Sequence, residues 1–301
     1  MQTRSSSSSL PIVADVHMHT SHSHGVASTA AMYAAAKAKG LSIIGFSEHS
    51  PRPEGYCYAT DYQENLRATF ATYIAEVQAL KATAAQEGIT VLLGLEVDYI
   101  AGQEDYARAL CTEYPYDYII GGLHFQGTWG FDGPEKEWEG ISQAQRFTAY
   151  ARYYQDLERM CRTGLFHVAA HPDLIKIHTV ADFHHWLATP QAPALIDAAL
   201  LAMKETGMAM EVSSAGLRKN CQEVYPCPAI IQRAAALGLP ISFGADAHCE
   251  NTPAFAFAEL AHYAQQFGYA HSLIFSQGTP QVLPFSAGHA MLCTKPQGHG
   301  A

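Results

Sequence analysis

Short apolar runs recur along the chain, and longer segments with helical character separate them. Runs of this length bounded by turn residues are typical of buried strands, whereas the longer segments have the length of helices. The predicted strands are Ile12–Val13, Leu41–Phe46, Thr90–Leu95, Tyr116–Ile120, Leu165–Ala170, Met208–Val212 and Pro240–Gly244. The predicted helices are Ser28–Lys39, Asp61–Glu87, Asp105–Cys111, Ser142–Arg162, Asp182–Thr206 (interrupted near Pro190 and Pro193), Pro228–Leu237 and about Pro253–Phe267. This alternation predicts an α/β fold with parallel strands and helical crossovers.

Polar residues follow these strands at their C-terminal ends. His17 and His19 come directly after the first strand, and Asp246 and His248 repeat the same spacing after the last one. The alternation alone fits either an open sheet or a closed barrel. Because the strand ends of a barrel meet around one mouth, whereas those of an open sheet lie along an edge, the polar strand ends favour the barrel.

The chain is expected to form one domain, residues 11–285, between a flexible N-terminal tail (1–10) and a C-terminal tail (286–301). Ser272–Phe275 is a possible last strand, and Gly and Pro are frequent from about Gln277. The Ser-rich start of the chain has no apolar segment of the kind found in secretory signals.

Charge and cysteine content restrict the partners and the compartment. The formal net charge of −10 argues against a nucleic-acid partner, since a duplex binder needs a basic face. No apolar run is long enough to cross a membrane. The seven cysteines are an odd number without a CxxC pair, which favours the reducing cytoplasm over a disulfide framework. A homo-oligomer is compatible with these features.

The polar residues at the strand ends are suited to binding metal ions. Seven histidines and two carboxylates qualify as candidate ligands: His17, His19, His24, His49, Glu96, His124, His171, Asp246 and His248. Imidazole and carboxylate groups suit Zn, Mn or Fe, and nine ligands exceed the needs of one ion. Each residue taken singly also has an ordinary structural explanation, as a loop histidine, a turn residue or a helix cap. Their recurrence at successive strand ends favours a cluster of two or three divalent ions, bridged by a carboxylate.

At these residues the sequence resembles the polymerase and histidinol phosphatase (PHP) superfamily, from about Val13 to Phe285. The matching motifs are His17-x-His19, Glu48-His49, Gly94-Leu95-Glu96, Leu123-His124, His171-Pro172 and Asp246-Ala247-His248. Three further stretches are similar to the histidinol-phosphatase branch: Glu96–Tyr99, Ser214–Lys219 and His171–Lys176. Two small departures are Glu48 and Ala245, where the family commonly has Asp and Ser.

The resemblance implies a distorted (β/α)7 barrel with a trinuclear metal centre. One metal would be bound by His17, His19, Glu96 and Asp246; a second would share Glu96 and add His124 and His171; a third would be bound by His24, His49 and His248. His22 competes with His24 for the same role, because both lie in one Ser/Gly-rich turn.

The resemblance also implies hydrolysis of a small phosphate monoester, L-histidinol phosphate, as a step of histidine biosynthesis. A metal-bridging hydroxide would attack in line, because divalent ions lower the pKa of bound water and neutralise phosphate charge. Asp246 and His248 are the predicted catalytic residues; either Asp246 or a metal-bound water would supply the proton for the leaving alkoxide. Arg218, whose planar guanidinium matches two phosphate oxygens, and Lys219 are the predicted substrate contacts.

Two alternative functions remain open on the sequence. One is a phosphoesterase of the same type that acts on a nucleotide or sugar phosphate. The other is a non-catalytic metal-binding barrel. The aromatic insertion, Phe125–Trp138, has two possible roles: it could cover the mouth and stack on an imidazole-bearing substrate, or it could pack on the barrel rim.

Overall fold

The structure is a computed structural model that describes residues 10–58 and 62–286. Its strands are β1 (Ala14–Asp15), β2 (Ile43–Phe46), β3 (Thr90–Asp98), β4 (Tyr118–Gly122), β5 (Phe125–Gln126), β6 (Trp129–Gly130), β7 (Val168–Ala169), β8 (Ala209–Ser213), β9 (Ile241–Gly244), β10 (His271–Ser276) and β11 (Thr279–Pro284). Its α-helices are α1 (Thr29–Ala38), α2 (Tyr62–Gln86), α3 (Glu104–Glu113), α4 (Gln143–Arg162), α5 (Val180–Leu187), α6 (Ala192–Thr206), α7 (Pro228–Ala236) and α8 (Phe257–Gln266). The predicted tails lie outside the described residues except for Leu10 and Ser286.

Seven parallel strands form the central sheet in the order β1-β2-β3-β4-β7-β8-β9. The two edges approach each other: the N–H of Val16 donates to the carbonyl of Phe243 (3.3 Å), and Met18 forms a parallel bridge with Ala247. The sheet is therefore a nearly closed barrel. This confirms the prediction of a (β/α)7 barrel, in which the C-terminal ends of all the strands surround one mouth.

Helix boundaries follow from ordinary end signals in the sequence. Ser28 caps α1 by accepting from the N–H of Ala31 (3.3 Å). Ser142 and Gln145 form a capping box at the start of α4. Pro193 lies in the first turn of α6, which ends at Gly207 in the left-handed conformation (φ 74°). Pro190 separates α6 from α5, so the predicted segment Asp182–Thr206 is two helices.

The barrel interior has its own small core. Inward-facing residues of the strands, among them Leu92, Tyr118 and Ile120, pack together with Ile274 and Phe275 of β10. The β10–β11 hairpin is antiparallel and is bonded through the N–H of Gly278 to the carbonyl of Asp117 (2.9 Å), directly before β4. The hairpin thus covers the N-terminal end of the barrel, opposite the mouth.

Three boundary predictions are wrong. The first strand is Ala14–Asp15 and not Ile12–Val13. No strand is predicted in the Gly/Pro-rich stretch from about Gln277, but Thr279–Pro284 is strand β11. Its prolines occupy an outer hairpin strand, where a missing N–H is tolerated. Helix α8 begins at Phe257 instead of Pro253, because Ala254 and Ala256 have positive φ values (53° and 52°) that interrupt the helix.

Candidate active site

Glu96 lies at the centre of the mouth, and five histidines surround it. Its Oε2 atom is 3.2 Å from His17 Nε2 and 3.3 Å from His19 Nε2. Oε2 is also 3.2 Å from His49 Nδ1. The other oxygen, Oε1, is 3.2 Å from His171 Nε2 and 3.6 Å from His124 Nε2. One carboxylate therefore faces two groups of imidazoles through its two oxygens, as a bridging ligand would.

Asp246 and the remaining histidines complete the cluster. Asp246 Oδ1 is 3.3 Å from His19 Nε2 and 3.7 Å from His17 Nε2. The ring of His248 lies 4.4 Å from that of His19, and the ring of His24 lies 4.2 Å from that of His248. The structure thus brings all nine predicted ligands together. His22 lies apart, with its Nε2 atom 2.9 Å from Glu76 of α2, so His24 is the member of the cluster.

Among the described residues, three groups of side chains have ligand atoms close enough to share an ion: His17, His19 and Glu96; Glu96, His124 and His171; His19, His49 and His248. The second group matches a set that the resemblance implies, and the first contains three of the four members of another, without Asp246. The third contains His19 where the resemblance implies His24.

A second layer of carboxylates orients the histidines, and the sequence analysis did not predict it. Glu211 Oε1 is 2.6 Å from Nδ1 of His17, and Glu48 Oε1 is 3.2 Å from Nδ1 of His19. Asp98 holds Nδ1 of His124 and is itself paired with Arg52. When Nδ1 donates to a carboxylate, Nε2 carries the lone pair that a metal needs. The signal for Glu211 was a charged residue within the apolar strand Met208–Val212.

The buried imidazole nitrogens of the cluster have the properties of metal ligands. The Nε2 atoms of His17, His19 and His248 are buried and form no well-aligned hydrogen bond among the described residues, although carboxylate oxygens lie 3.2 Å from His17 Nε2 and 3.3 Å from His19 Nε2. Buried polar atoms rarely remain without one. Oxygen and imidazole donors without thiolate are typical of catalytic divalent-metal sites. The residues present therefore fit divalent cations.

Burial and the charges of the cluster shift the pKa values of its histidines strongly. Burial would lower the pKa of His17, but Glu211, Glu96 and Asp246 outweigh it and raise the pKa well above the usual value. Burial is outweighed in the same way at His19 and His124, where neighbouring carboxylates raise the pKa to about 10 and about 9. At His24 and His248, by contrast, burial prevails and lowers the pKa to about 2 and about 3.

The backbone at the site has unusual φ values at two candidate ligands and requires a glycine beneath them. His171 and Asp246 have positive φ values (23° and 51°), which side-chain-bearing residues rarely adopt and which are concentrated at functional sites. Gly122 lies below the cluster, where a Cβ would come within 2.6 Å of His124 Cε1 and 2.9 Å of Glu96 Oε1. The sequence needs glycine there so that the two ligands can approach each other.

The predicted substrate contacts lie on one side of the cluster. A cavity of about 340 Å³ opens beside the cluster, and exposed Lys219 lines it. Arg218 is turned towards the backbone: its Nη2 donates to the carbonyls of Ala245 and Asp246, the latter at 3.1 Å. Its Nε is buried without a hydrogen-bond partner in the described part of the chain. Arg218 thus fixes the strained Asp246 segment.

The aromatic insertion packs on the barrel rim. The rings of Phe131 and Trp138 are buried, and Phe131 contacts Tyr153 of α4 with 5.7 Å between ring centroids. The cavity is lined instead by Asp132, Gly133 and Pro134 of the same segment.

Comparison with known proteins identifies the family. The PHP domain model matches residues 15–215. The chain belongs to the PHP domain family. A protein of Deinococcus radiodurans named "Probable histidinol-phosphatase" is 33% identical over 84% of this chain and 93% of its own length. The histidinol-phosphatase of Bacillus subtilis is 29% identical over 81% of this chain and 96% of its own length.

A solved PHP-type structure shows the same fold. The histidinol phosphate phosphatase of Lactococcus lactis, crystallised with zinc, L-histidinol and phosphate, aligns with a TM-score of 0.71. The alignment covers 89% of this chain and 98% of that chain, at 18% identity. Among the described residues of the present chain, no helix is long and apolar enough to cross a membrane.

Proposed function

We propose that this PHP domain protein is a metal-dependent phosphomonoesterase that hydrolyses L-histidinol phosphate to L-histidinol and phosphate. The observation that carries the proposal is the position of Glu96, which faces imidazoles through both of its oxygens at the mouth of the barrel. Relatives that match more than four fifths of the chain are named histidinol-phosphatases, which supports the substrate.

Two or three divalent ions, Zn, Mn or Fe, would occupy the cluster. His17, His19, Glu96 and Asp246 would hold one ion, and His124 and His171 would hold another together with Glu96. A third would be held by His49 and His248 with His24 or His19. Bound in this way, the ions would neutralise phosphate charge and make hydroxide available near neutral pH.

The side chains around the ions have separate tasks. Lys219 lines the cavity and is the candidate for binding a phosphate oxygen. Arg218 remains the second candidate, and it also holds the carbonyl of Asp246. Asp246 is the candidate for handling the proton of the leaving alkoxide. His248 is neutral at pH 7, because burial lowers its pKa to about 3, so its imidazole can bind a metal but cannot act as the acid that protonates the leaving alkoxide.

Phosphate release by the purified, metal-loaded protein tests the proposal. We expect kcat/KM for L-histidinol phosphate to exceed that for AMP and glucose 6-phosphate by at least about tenfold, and His17→Ala to reduce it by about a hundredfold or more. His22→Ala is the matched control, since His22 is bonded to Glu76 away from the cluster, and it should retain activity. Equal turnover of all esters would refute the substrate assignment. Full activity of His17→Ala would refute the metal centre.

Six cysteines of the described chain are free thiols, which supports a reducing compartment. We therefore propose the cytoplasm as the location of the enzyme.

A further inference from the structure

The wall of the cavity beside the cluster combines two chemically different groups of residues. The candidate metal ligands, among them Glu96 and Asp246, line it together with Lys219. Asp132 of the aromatic insertion also lines it and adds a carboxylate outside the candidate ligand set. Metal ions and an ammonium suit an anion, whereas an additional carboxylate suits a cation.

Asp132 differs from the other two carboxylates of the cavity in having no cationic partner. Glu96 and Asp246 are both within ion-pair distance of histidines. Asp132 Oδ1 accepts a hydrogen bond from the hydroxyl of Tyr58, and no Lys, Arg or His in the described part of the chain forms an ion pair with it.

The backbone on both sides of Asp132 is held firmly. The carbonyl of Phe131 accepts from Trp138 Nε1 (2.7 Å), and the N–H of Phe131 donates to the carbonyl of His124 (3.2 Å). The carbonyl of Gly133 is 2.8 Å from His178 Nε2. Asp132 is therefore placed at a fixed position relative to His124, so little ordering is needed when a ligand binds.

We infer that Asp132 is a specificity residue that binds a protonated nitrogen of the substrate while the phosphate lies on the metal cluster. The inference rests on the proposed function and identifies the favoured class of ester, a small phosphate monoester that carries an ammonium or imidazolium group. A charge-assisted hydrogen bond to Asp132 would favour such an ester over neutral ones.

Asp132→Asn tests the inference, because asparagine keeps the shape and can still accept from Tyr58 while it removes the charge. We expect kcat/KM for L-histidinol phosphate to fall by about tenfold, mainly through KM, since a charged hydrogen bond is lost. Turnover of 4-nitrophenyl phosphate, which has no cationic group, should stay within about twofold. Glu139→Gln removes the same charge from an exposed position of the adjoining loop, outside the cavity lining, and should change neither rate.

A second pair of esters, O-phosphoethanolamine and 2-hydroxyethyl phosphate, makes the test independent of histidinol. Asp132→Asn should abolish any preference for the ammonium ester. An unchanged preference in both pairs would overturn the inference and leave the proposed function intact. An equal loss of kcat/KM with all esters, together with a lower metal content, would place Asp132 in the metal centre. That result would also overturn the inference. If the wild-type protein hydrolyses no ester, the proposed function itself fails.

Discussion

At the scale of single residues, the carboxylates behind the histidines of the site hold them in position by hydrogen bonds. Glu211 serves two candidate ligands at once: its Oε1 holds His17 Nδ1, and its Oε2 accepts from the N–H of His171 (2.7 Å). Five carboxylates, Glu48, Glu96, Asp98, Glu211 and Asp246, thus contact the histidine cluster in the folded chain. Protons or metal ions must neutralise the negative charge of these buried carboxylates.

Glu211→Gln should weaken metal binding. Glutamine can accept one of the two hydrogen bonds, but its NH2 group cannot accept the other, so either His17 or His171 loses its support. We expect metal affinity to fall by about 10–100-fold, which is typical when such supporting groups are lost. Metal titration with a competing chelator measures this. Glu259→Gln, on the exposed face of α8, is the control, and equal affinity of both variants would contradict the role of Glu211.

Metal binding should release protons. In the metal-free chain the pKa values of His17, His19 and His124 are raised above neutrality, the latter two to about 10 and about 9. These imidazoles are therefore protonated at pH 7.5, and a metal must displace the protons to bind, so affinity should rise with pH up to about 10. Calorimetric titration in buffers of different ionisation enthalpy should show at least about two protons released per chain. Release of none would mean that the cluster is already deprotonated.

At the scale of secondary-structure elements, the site is built from loops that follow parallel strands, and one of these loops, the aromatic insertion, forms part of the cavity wall. The segment around Gly133 is bonded to neighbouring loops of the rim through His178 and Asn220. His178 Nε2 donates to the carbonyl of Gly133, so Nδ1 is free to accept from Asn220 Nδ2 (3.1 Å). Asn220 also donates to Glu135 (3.0 Å). These bonds join the insertion to the loops after β7 and β8.

His178→Ala should loosen this wall. The variant loses two hydrogen bonds, each contributing roughly 0.5–1.5 kcal/mol. We expect faster amide hydrogen exchange in residues 127–135 and a KM for L-histidinol phosphate that is about 2–10-fold higher, with little change in kcat. His262→Ala, exposed on α8, should leave both unchanged. Unaltered exchange in the insertion would show that its aromatic packing on α4 is sufficient.

The sequence was informative where local patterns have direct structural consequences. Strands that end in His-x-His or Asp-x-His predicted both the barrel and the convergence of the nine candidate ligands, because parallel strand ends meet at one mouth. A charged residue within an apolar strand marked Glu211 as unusual, but the histidines that it contacts depend on the register of β8 with β7 and β9, which no local pattern encodes. Strand β11 was missed because Gly and Pro signal irregular structure, whereas pairing with β10 overrides that tendency. Asp132 was missed because a loop position acquires its meaning only from the cavity that it lines.

At the scale of the whole molecule, the mouth is held in shape by a barrel that is filled by side chains. Tyr118 extends across the interior from β4, and its hydroxyl donates to the carbonyl of Val16 (2.7 Å), next to the first candidate ligand. The ring needs space: a Cβ at Gly94 would overlap it, and a Cβ at Gly45 would overlap its hydroxyl. Glycines on two neighbouring strands thus allow one aromatic ring to connect β4 with β1.

Gly94→Ala should therefore destabilise the barrel specifically through Tyr118, and a double-mutant cycle can show this. Overpacking of a filled core costs about 1–3 kcal/mol, so the urea midpoint of unfolding should fall. In a Tyr118→Leu background the smaller side chain removes the clash, and Gly94→Ala should cost much less. In a Tyr118→Phe background the ring remains, and the full cost should persist while the bond to Val16 is lost. Equal costs of Gly94→Ala in all three backgrounds would show that the ring does not fill the space above Gly94.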